Sequence, residues 1–527
     1  MQPARTVRTA LLACAVSVLG CGDSEQQPWD GSYVPQEERG DWVDPGPLST
    51  CRVLEEGDAA CGSPESFDLS QCKRRSLEVL PRRGIFRAEL RFERSQASPR
   101  SQPTVRGGGF KLNLNGVPEL VFGAPAVAGV WNSRTIHISG REGDLLYTFA
   151  GCNAVNDHVL TGCFSVCRDG RLEEAATFRA ERMVRFGGEG DAAGGLRMRS
   201  ESFVGLGTPV DVHVTGGHAY VLSRERRGQP GGLTVFDVSD PTAPVEVAVF
   251  SPPGGADWRS AVSVDGTLYV ATANAGVAVV DISRPSAPVL LGHVPGGPVQ
   301  VTGVSVDGDR LYATVESPDE PGTLRFDLST PGLPRLMESS TLDARNPNRL
   351  YTGGSVITHE GRLYLNHQHE GLKVADIRDP AGLRLLGRYT YPYARSSASA
   401  VGTFAGRTIA FELGRGPGAR LRVLDVSDPG NIQKVSEYGL RYVVSPHDLQ
   451  LVGSRLYLSY HHEGLRLLDV SHPTQPREVG YYNTFRDTDL GRGDGADEGA
   501  AGLHVPGDGH VYVVDTVRGL LVLTEPK

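Results

Sequence analysis

The sequence predicts an all-β protein: a seven-bladed β-propeller, with six blades as the alternative count, preceded by a small disulfide-stapled β-sandwich or barrel. Three observations carry this. A short phrase recurs through the C-terminal two-thirds of the chain at a period in the forties, which is the signature of a propeller or a similar array. A short strand, usually centred on a Tyr, precedes every copy. All eight cysteines stand before the first copy, six of them beyond residue 50, and none within the repeats.

The phrase begins as Gly232-Leu233-Thr234-Val235-Phe236-Asp237 and returns with its Asp at 281, 327, 376, 425 and 469, at spacings of 44, 46, 49, 49 and 44 residues. A seventh copy, residues 519–524, ends on Thr524 in place of the Asp. Upstream of each copy lies the Tyr strand, with Tyr220, Tyr269, Tyr312, Tyr364, Tyr457 and Tyr512, while the strand at Ile409 lacks the Tyr. A tight hairpin such as Asp265-Gly266 or Glu360-Gly361 joins it to an earlier alternating run, Gly permitting positive φ. The repeat Asp residues, Asp237, Asp281, Asp327, Asp376, Asp425 and Asp469, are expected to accept backbone N–H bonds from the turns they start. Pro then takes the chain out of the ladder, and a fourth strand such as 245–249 completes a blade. The last copy has no room for a fourth strand, whereas residues 196–204 have strand character and no blade. They are expected to supply that strand and close the ring.

The repeated Gly-Leu-x-Val-x-Asp-Val-Ser-x-Pro resembles the LVIVD-repeat family of bacterial and archaeal surface proteins, over roughly residues 205–524. The resemblance implies a propeller that is secreted or surface-anchored. It implies no shared catalytic residues. The chain departs from the pattern at Leu324-Arg325-Phe326 and in the seventh copy.

The N-terminal part divides further. Residues 1–20 form an export signal, with Arg5 and Arg8 before an apolar stretch too short to span a bilayer. It ends Val18-Leu19-Gly20-Cys21, which resembles a bacterial lipobox and makes Cys21 the expected lipidation site. Residues 21–50 hold few aliphatic side chains and are expected to be a flexible tether. Residues 51–186 alternate strand-like runs with Gly-rich turns and form the small β domain. Cys51, Cys61, Cys72, Cys152, Cys163 and Cys167 are an even set, read as three structural disulfides with fifteen pairings open. Residues 187–195 are a Gly-rich linker, and 196–527 the propeller.

The net charge of −9 excludes nucleic acid as a natural partner. There is no Gly-x-Ser-x-Gly, no His-Glu-x-x-His and no phosphate-binding Gly loop. Candidate metal ligands are His369-Glu370 and His462-Glu463, at equivalent places in two repeats, and His213, His447 and His504 on or beside innermost strands. His213 and His504 stand three residues before a hairpin Gly, where the other repeats carry Ser263, Ser305, Thr358, Thr403 and Gln450. An acidic insertion with Asp487, Asp489, Asp494, Asp497 and Glu498 has Gly spacing loosely like a calcium loop but reads as a solvated segment. Its Arg492-Gly493-Asp494 tripeptide is assigned no role.

The expected function is a lipid-anchored scaffold at the outer membrane or cell surface, binding an envelope protein or a glycan through its loops, with the lipid as its only membrane contact and no cofactor. One alternative is a metal-dependent hydrolase or lyase using Zn or Ca at the channel mouth. The other is a structural envelope component.

Overall fold

In this computed structural model the described residues are 28–526, apart from 55–59, 96–102, 227, 253–255, 317–321, 341, 343–352, 487 and 490. The proposed lipidation site Cys21, and Asp487 of the insertion, lie outside them.

Of the two forms foreseen for the small domain, the chain adopts the barrel. Eight strands, from Gly84–Ser95 to Arg171–Arg182, run as an antiparallel meander, and the last pairs with the first. Alternate side chains point inward, and here they are large. Phe110, Phe149, Phe164 and Phe178 are fully buried, with ring centroids 4.6 Å apart for Phe149 and Phe164 and 5.0 Å for Phe149 and Phe178. An eight-stranded barrel is just wide enough to be filled by such side chains, so this one has a packed core.

The disulfides are Cys51–Cys163, Cys61–Cys167 and Cys72–Cys152. Cys152, Cys163 and Cys167 sit on the adjacent strands Leu145–Ala154 and Val159–Arg168, so the bridges pin the preceding segment across two neighbouring strands. Cys163 and Cys167 therefore staple different points of that segment.

The propeller has seven sheets, six of four strands and one of five. Their innermost strands are Thr208–Thr215, Trp258–Val264, Val301–Asp307, Gly353–His359, Ala398–Phe404, Asp448–Val452 and Ala500–His504. We number the blades one to seven in this order. The six repeat Tyr residues are all buried at 2% exposure or less. In blade five Phe411 takes the Tyr position, opposite Val423, just as Tyr220 stands opposite Val235. All six repeat Asp carboxylates accept the N–H two residues on, at 2.9–3.0 Å, and hydrogen bonds from the side chain and the backbone of that residue together lower each of them.

The repeat Gly has its own reason. Gly371 and Gly519 have φ near +81° and +86°, and a Cβ there would fall 2.0 and 2.3 Å from the carbonyl oxygens of Tyr389 and Ser202. Ser202 belongs to Met198–Ser202, which pairs with Gly519–Thr524 and closes the ring as the outer strand of blade seven. This borrowed strand even reproduces the bulge that the other six blades carry between their third and fourth strands.

Two expectations change outside the ring. Residues 28–50 are expected to be part of a tether, but they lie as an extended strap, first against blade five and then against the barrel, where Trp42 donates to Glu89 and Asp44 pairs with Arg91. Trp42 is buried at 2%, and Glu38 and Asp41 pair with Arg422 at 2.9 and 2.7 Å. The linker also contributes structure: Ala192–Ala193 pairs with Tyr481 and Tyr482 and makes blade six five-stranded. In both cases a partner hundreds of residues away orders a polar segment.

Candidate functional site at the channel mouth

Each innermost strand begins at one end of the propeller's central channel. The seven strands surround a cavity of about 470 Å3 there. It is walled by the strand starts, among them Asp211, Ser260, Thr302, Ser355, Ala398, Asp448 and Gly502, and by Arg224, Glu316, Gln368, Arg415 and Asp497 from loops on the same face. The barrel rests on this face. Arg87 donates to the Asp494 carbonyl, and Arg395 donates to the Val105 carbonyl at 3.0 Å.

The wall is polar, and most of its charges are matched. Arg224 lies 2.8 Å from Asp257, Arg259 3.2 Å from Glu316 and Arg415 2.7 Å from Asp497. Gln300 donates to Glu316 at 2.5 Å. Asp211 and Asp448 differ. Each is fixed by main-chain donors, Asp211 by Val212 N at 2.8 Å and Ala261 N at 3.3 Å, and Asp448 by Leu449 N at 2.9 Å and Leu503 N at 3.1 Å. Each thereby reaches the next blade in the ring. Burial pushes Asp448 up to about 6, and burial with the nearby Asp448 charge raises Asp211 well above the carboxylate range.

The predicted histidines fall in separate places. Counting back from the hairpin Gly mixes two registers. His213, Ser305, Gln450 and His504 stand opposite the repeat Tyr, whereas Ser263 and Thr358 stand one place nearer the turn. The His213 and His504 rings stack at 4.9 Å. His213 Nε2 bonds Ser263 Oγ at 2.8 Å, and His504 Nδ1 accepts from Val214 N at 2.9 Å. Gln450 likewise bonds Val505 in blade seven. This layer stitches one blade to the next.

His447 lies in the cavity wall, its ring 4.8 Å from that of His461. The two His-Glu loops do not converge. Glu370 pairs with Lys373 at 2.6 Å, in the blade that also holds His369, while Glu463 pairs with Arg441 at 3.4 Å and His462 packs 4.6 Å from Phe485. Among the described residues no three His, Cys, Asp or Glu side chains are grouped to hold a metal ion.

The acidic insertion is a wedge between the barrel and the propeller. Asp489 pairs with Arg486 and Arg492, Asp497 with Arg415, and Asp494 accepts from Gly123 N at 3.1 Å. Asp494 and Arg492 are each 1% exposed, so that part of the insertion is not solvated and the Arg-Gly-Asp tripeptide is not presented, while Asp497 keeps about half its surface exposed. These acids have guanidinium and main-chain partners that no local pattern could reveal. Asp211, Arg259, Gln300 and Arg415 were also missed as wall residues. Aligning the innermost strands would have shown Asp211 and Asp448 at a place where other blades carry Ser260, Gly303 or Ala398.

Comparison with known proteins gives the following. The LVIVD repeat family matches residues 207–251, 260–295 and 446–484, in blades one, two and six. No curated protein matches the chain. Among solved structures, the computationally designed Ika8 protein is similar at 12% identity and a TM-score of 0.43, over 62% of this chain and 100% of that one. The extracellular domain of a hybrid two component system from B. thetaiotaomicron is similar at 14% identity and a TM-score of 0.43, over 61% of this chain and 39% of that one. The three disulfides belong to an oxidising compartment outside the cytosol. The C-terminal ring is thus a seven-bladed β-propeller in which three blades carry LVIVD repeats.

Proposed function

We propose that this protein is a lipid-anchored propeller of the cell envelope that binds a polar ligand, a glycan or a protein side chain, at the mouth of its channel. One observation carries the reading: a cavity of about 470 Å3, within the range of small-molecule sites, built from every blade and lined by side chains that both donate and accept hydrogen bonds. The run Val18-Leu19-Gly20-Cys21 supports the anchor.

The test is saturation-transfer NMR of the purified protein with envelope oligosaccharides and peptides. Ser260 lines the cavity, and its hydroxyl has no partner, so Ser260→Phe fills the space without breaking a hydrogen bond. Transfer is expected to wild type and to be lost in a folded Ser260→Phe variant. Transfer to neither, or equal transfer to both, removes the reading. Partition into the detergent phase is expected to disappear with Cys21→Ser, and retention there would refute the anchor.

A further inference from the structure

We propose that the barrel docks on an anionic lipid bilayer through one of its ends, where aliphatic side chains stand among unpaired cations. The inference stands apart from the channel-mouth reading. It adds a second membrane contact where the sequence suggests the lipid alone.

Four segments build this end. Residues 73–83 cross it, and the turns 113–117, 132–135 and 155–158 join barrel strands there. The short helix Arg74–Val79 turns Leu77 into the barrel and Leu80 follows it, so the two plug the core at 1% and 5% exposure. Ser76 Oγ accepts from Ala154 N at 2.8 Å, next to the third turn. Arg182 ties that turn to the crossing segment: its N donates to the His158 carbonyl at 2.8 Å and its Nε to the Arg83 carbonyl at 3.0 Å. A Cβ on Gly116, in the first turn, would fall 2.8 Å from the Arg82 carbonyl oxygen. Lys73, Arg74 and Arg75 line one hollow with Arg134 of the second turn. The barrel meets the propeller along its wall, through Arg87 and Gly123. Among the described residues no hydrogen bond or ion pair joins the four segments to the ring.

The charge of this end is one-sided. Its segments carry Lys73, Arg74, Arg75, Arg82, Arg83 and Arg134, all exposed, against the acids Glu78 and Asp157. None of these cations forms an ion pair among the described residues. The chain as a whole carries −9, so this end is opposite in sign to the molecule, and its field turns it towards an anionic surface.

The same end shows apolar side chains. Val79, Leu114, Val117, Val130 and Val155 are 50–67% exposed. One such residue is ordinary, but several around one rim make an interaction surface. A soluble polyanion would engage the cations alone and leave the aliphatic groups in water. A bilayer takes both: the aliphatic tips enter the headgroup region, and the arginines meet phosphates around them.

The test is flotation of the mature chain with Cys21→Ser, which carries no lipid. It is mixed at neutral pH and low salt with vesicles of phosphatidylcholine alone, or of phosphatidylcholine with phosphatidylglycerol. Binding to the anionic vesicles is expected to be at least about tenfold tighter, and to weaken with added salt. Arg74→Glu with Arg75→Glu is expected to remove the preference. Leu114→Asn with Val155→Asn keeps every cation and is expected to weaken binding several-fold. All four side chains are exposed, and an unchanged Tm checks that each variant folds. Should one fail to fold, the comparison of vesicles on the otherwise unaltered chain still decides. Equal binding to both vesicles, or to neither, overturns the inference, and so does a retained preference in the folded Arg74→Glu, Arg75→Glu variant. Undiminished binding of the Leu114→Asn, Val155→Asn variant overturns bilayer docking and leaves a surface for a soluble polyanion, which dextran sulfate would then reproduce. The saturation-transfer result at the channel mouth is independent of these outcomes.

Discussion

The histidines of the channel are held neutral, and this makes stability depend on pH. Burial and the neighbouring Arg415 push His447 down to about 4, and burial with the neighbouring His504 pushes His213 down to about 3. A His whose folded value lies below its ordinary 6.5 binds its proton more readily when unfolded. Its contribution to stability is therefore complete above about pH 6.5 and is lost as the pH falls towards the folded value. Asp448 and Asp494, both pushed up to about 6 by burial, work in the opposite sense over part of that range, so the whole-protein slope mixes the two. A single substitution separates them. His447→Gln is expected to flatten the fall of Tm between pH 6.5 and 4 relative to wild type. An unchanged slope would show that His447 is not one of the groups responsible.

At the scale of the strand, one variable position decides what each blade holds. Three residues before the turn Asp, blades one to three carry Thr234, Ala278 and Leu324, whereas blades four to six carry Lys373, Arg422 and Arg466. Arg466 pairs with Glu189 of the linker at 2.6 Å. Arg422, 1% exposed, stacks over the Tyr391 ring at 3.6 Å and pairs with Glu38 and Asp41 of the strap. Glu412, fully buried, lies 3.5 Å from the same guanidinium. Arg422→Ala would leave Asp41 and Glu412 buried without their cation, at a cost of about 3–5 kcal/mol. It is expected to lower stability in urea and to open residues 28–50 to limited proteolysis. A strap as resistant as in wild type would mean that it is held by other contacts. The strap illustrates what sequence reading misses. Glu38 and Asp41 look like tether residues in isolation, and their partner is more than 380 positions away.

At the scale of the molecule, the ring closes on a borrowed strand. Residues 196–204 were legible as that strand because the seventh repeat ended one strand short, and Met198–Ser202 takes the place with the register and bulge of the other blades. A chain starting at Gly205 would leave the third strand of blade seven as an open edge. It is expected to unfold at lower temperature and to self-associate in sedimentation. A monomer with wild-type Tm would show that closure does not depend on this strand. The candidate site was less legible. His447 and Asp497 were singled out, but the cavity's remaining wall comes from one to three residues in each of seven blades, and only the ring sets those side by side. The paired His-Glu loops looked equivalent in sequence and are equivalent in the repeat, yet different blades keep them apart with separate partners, Lys373 and Arg441.

The sequence by itself determined the blade: its Gly, where a Cβ would meet the outer strand; its buried Tyr; and its turn Asp. These are local, repeated interactions, so each copy restates the same physics. The ring then settled seven blades over six. The tertiary structure decided the barrel over the sandwich, the pairing of the six cysteines, the strap on blade five and the burial of the acidic insertion. It also decided that Asp211 and Asp448 face one cavity. Each of those depends on groups far apart in the chain, and burial and charge pairing are properties of what the folded ring brings together.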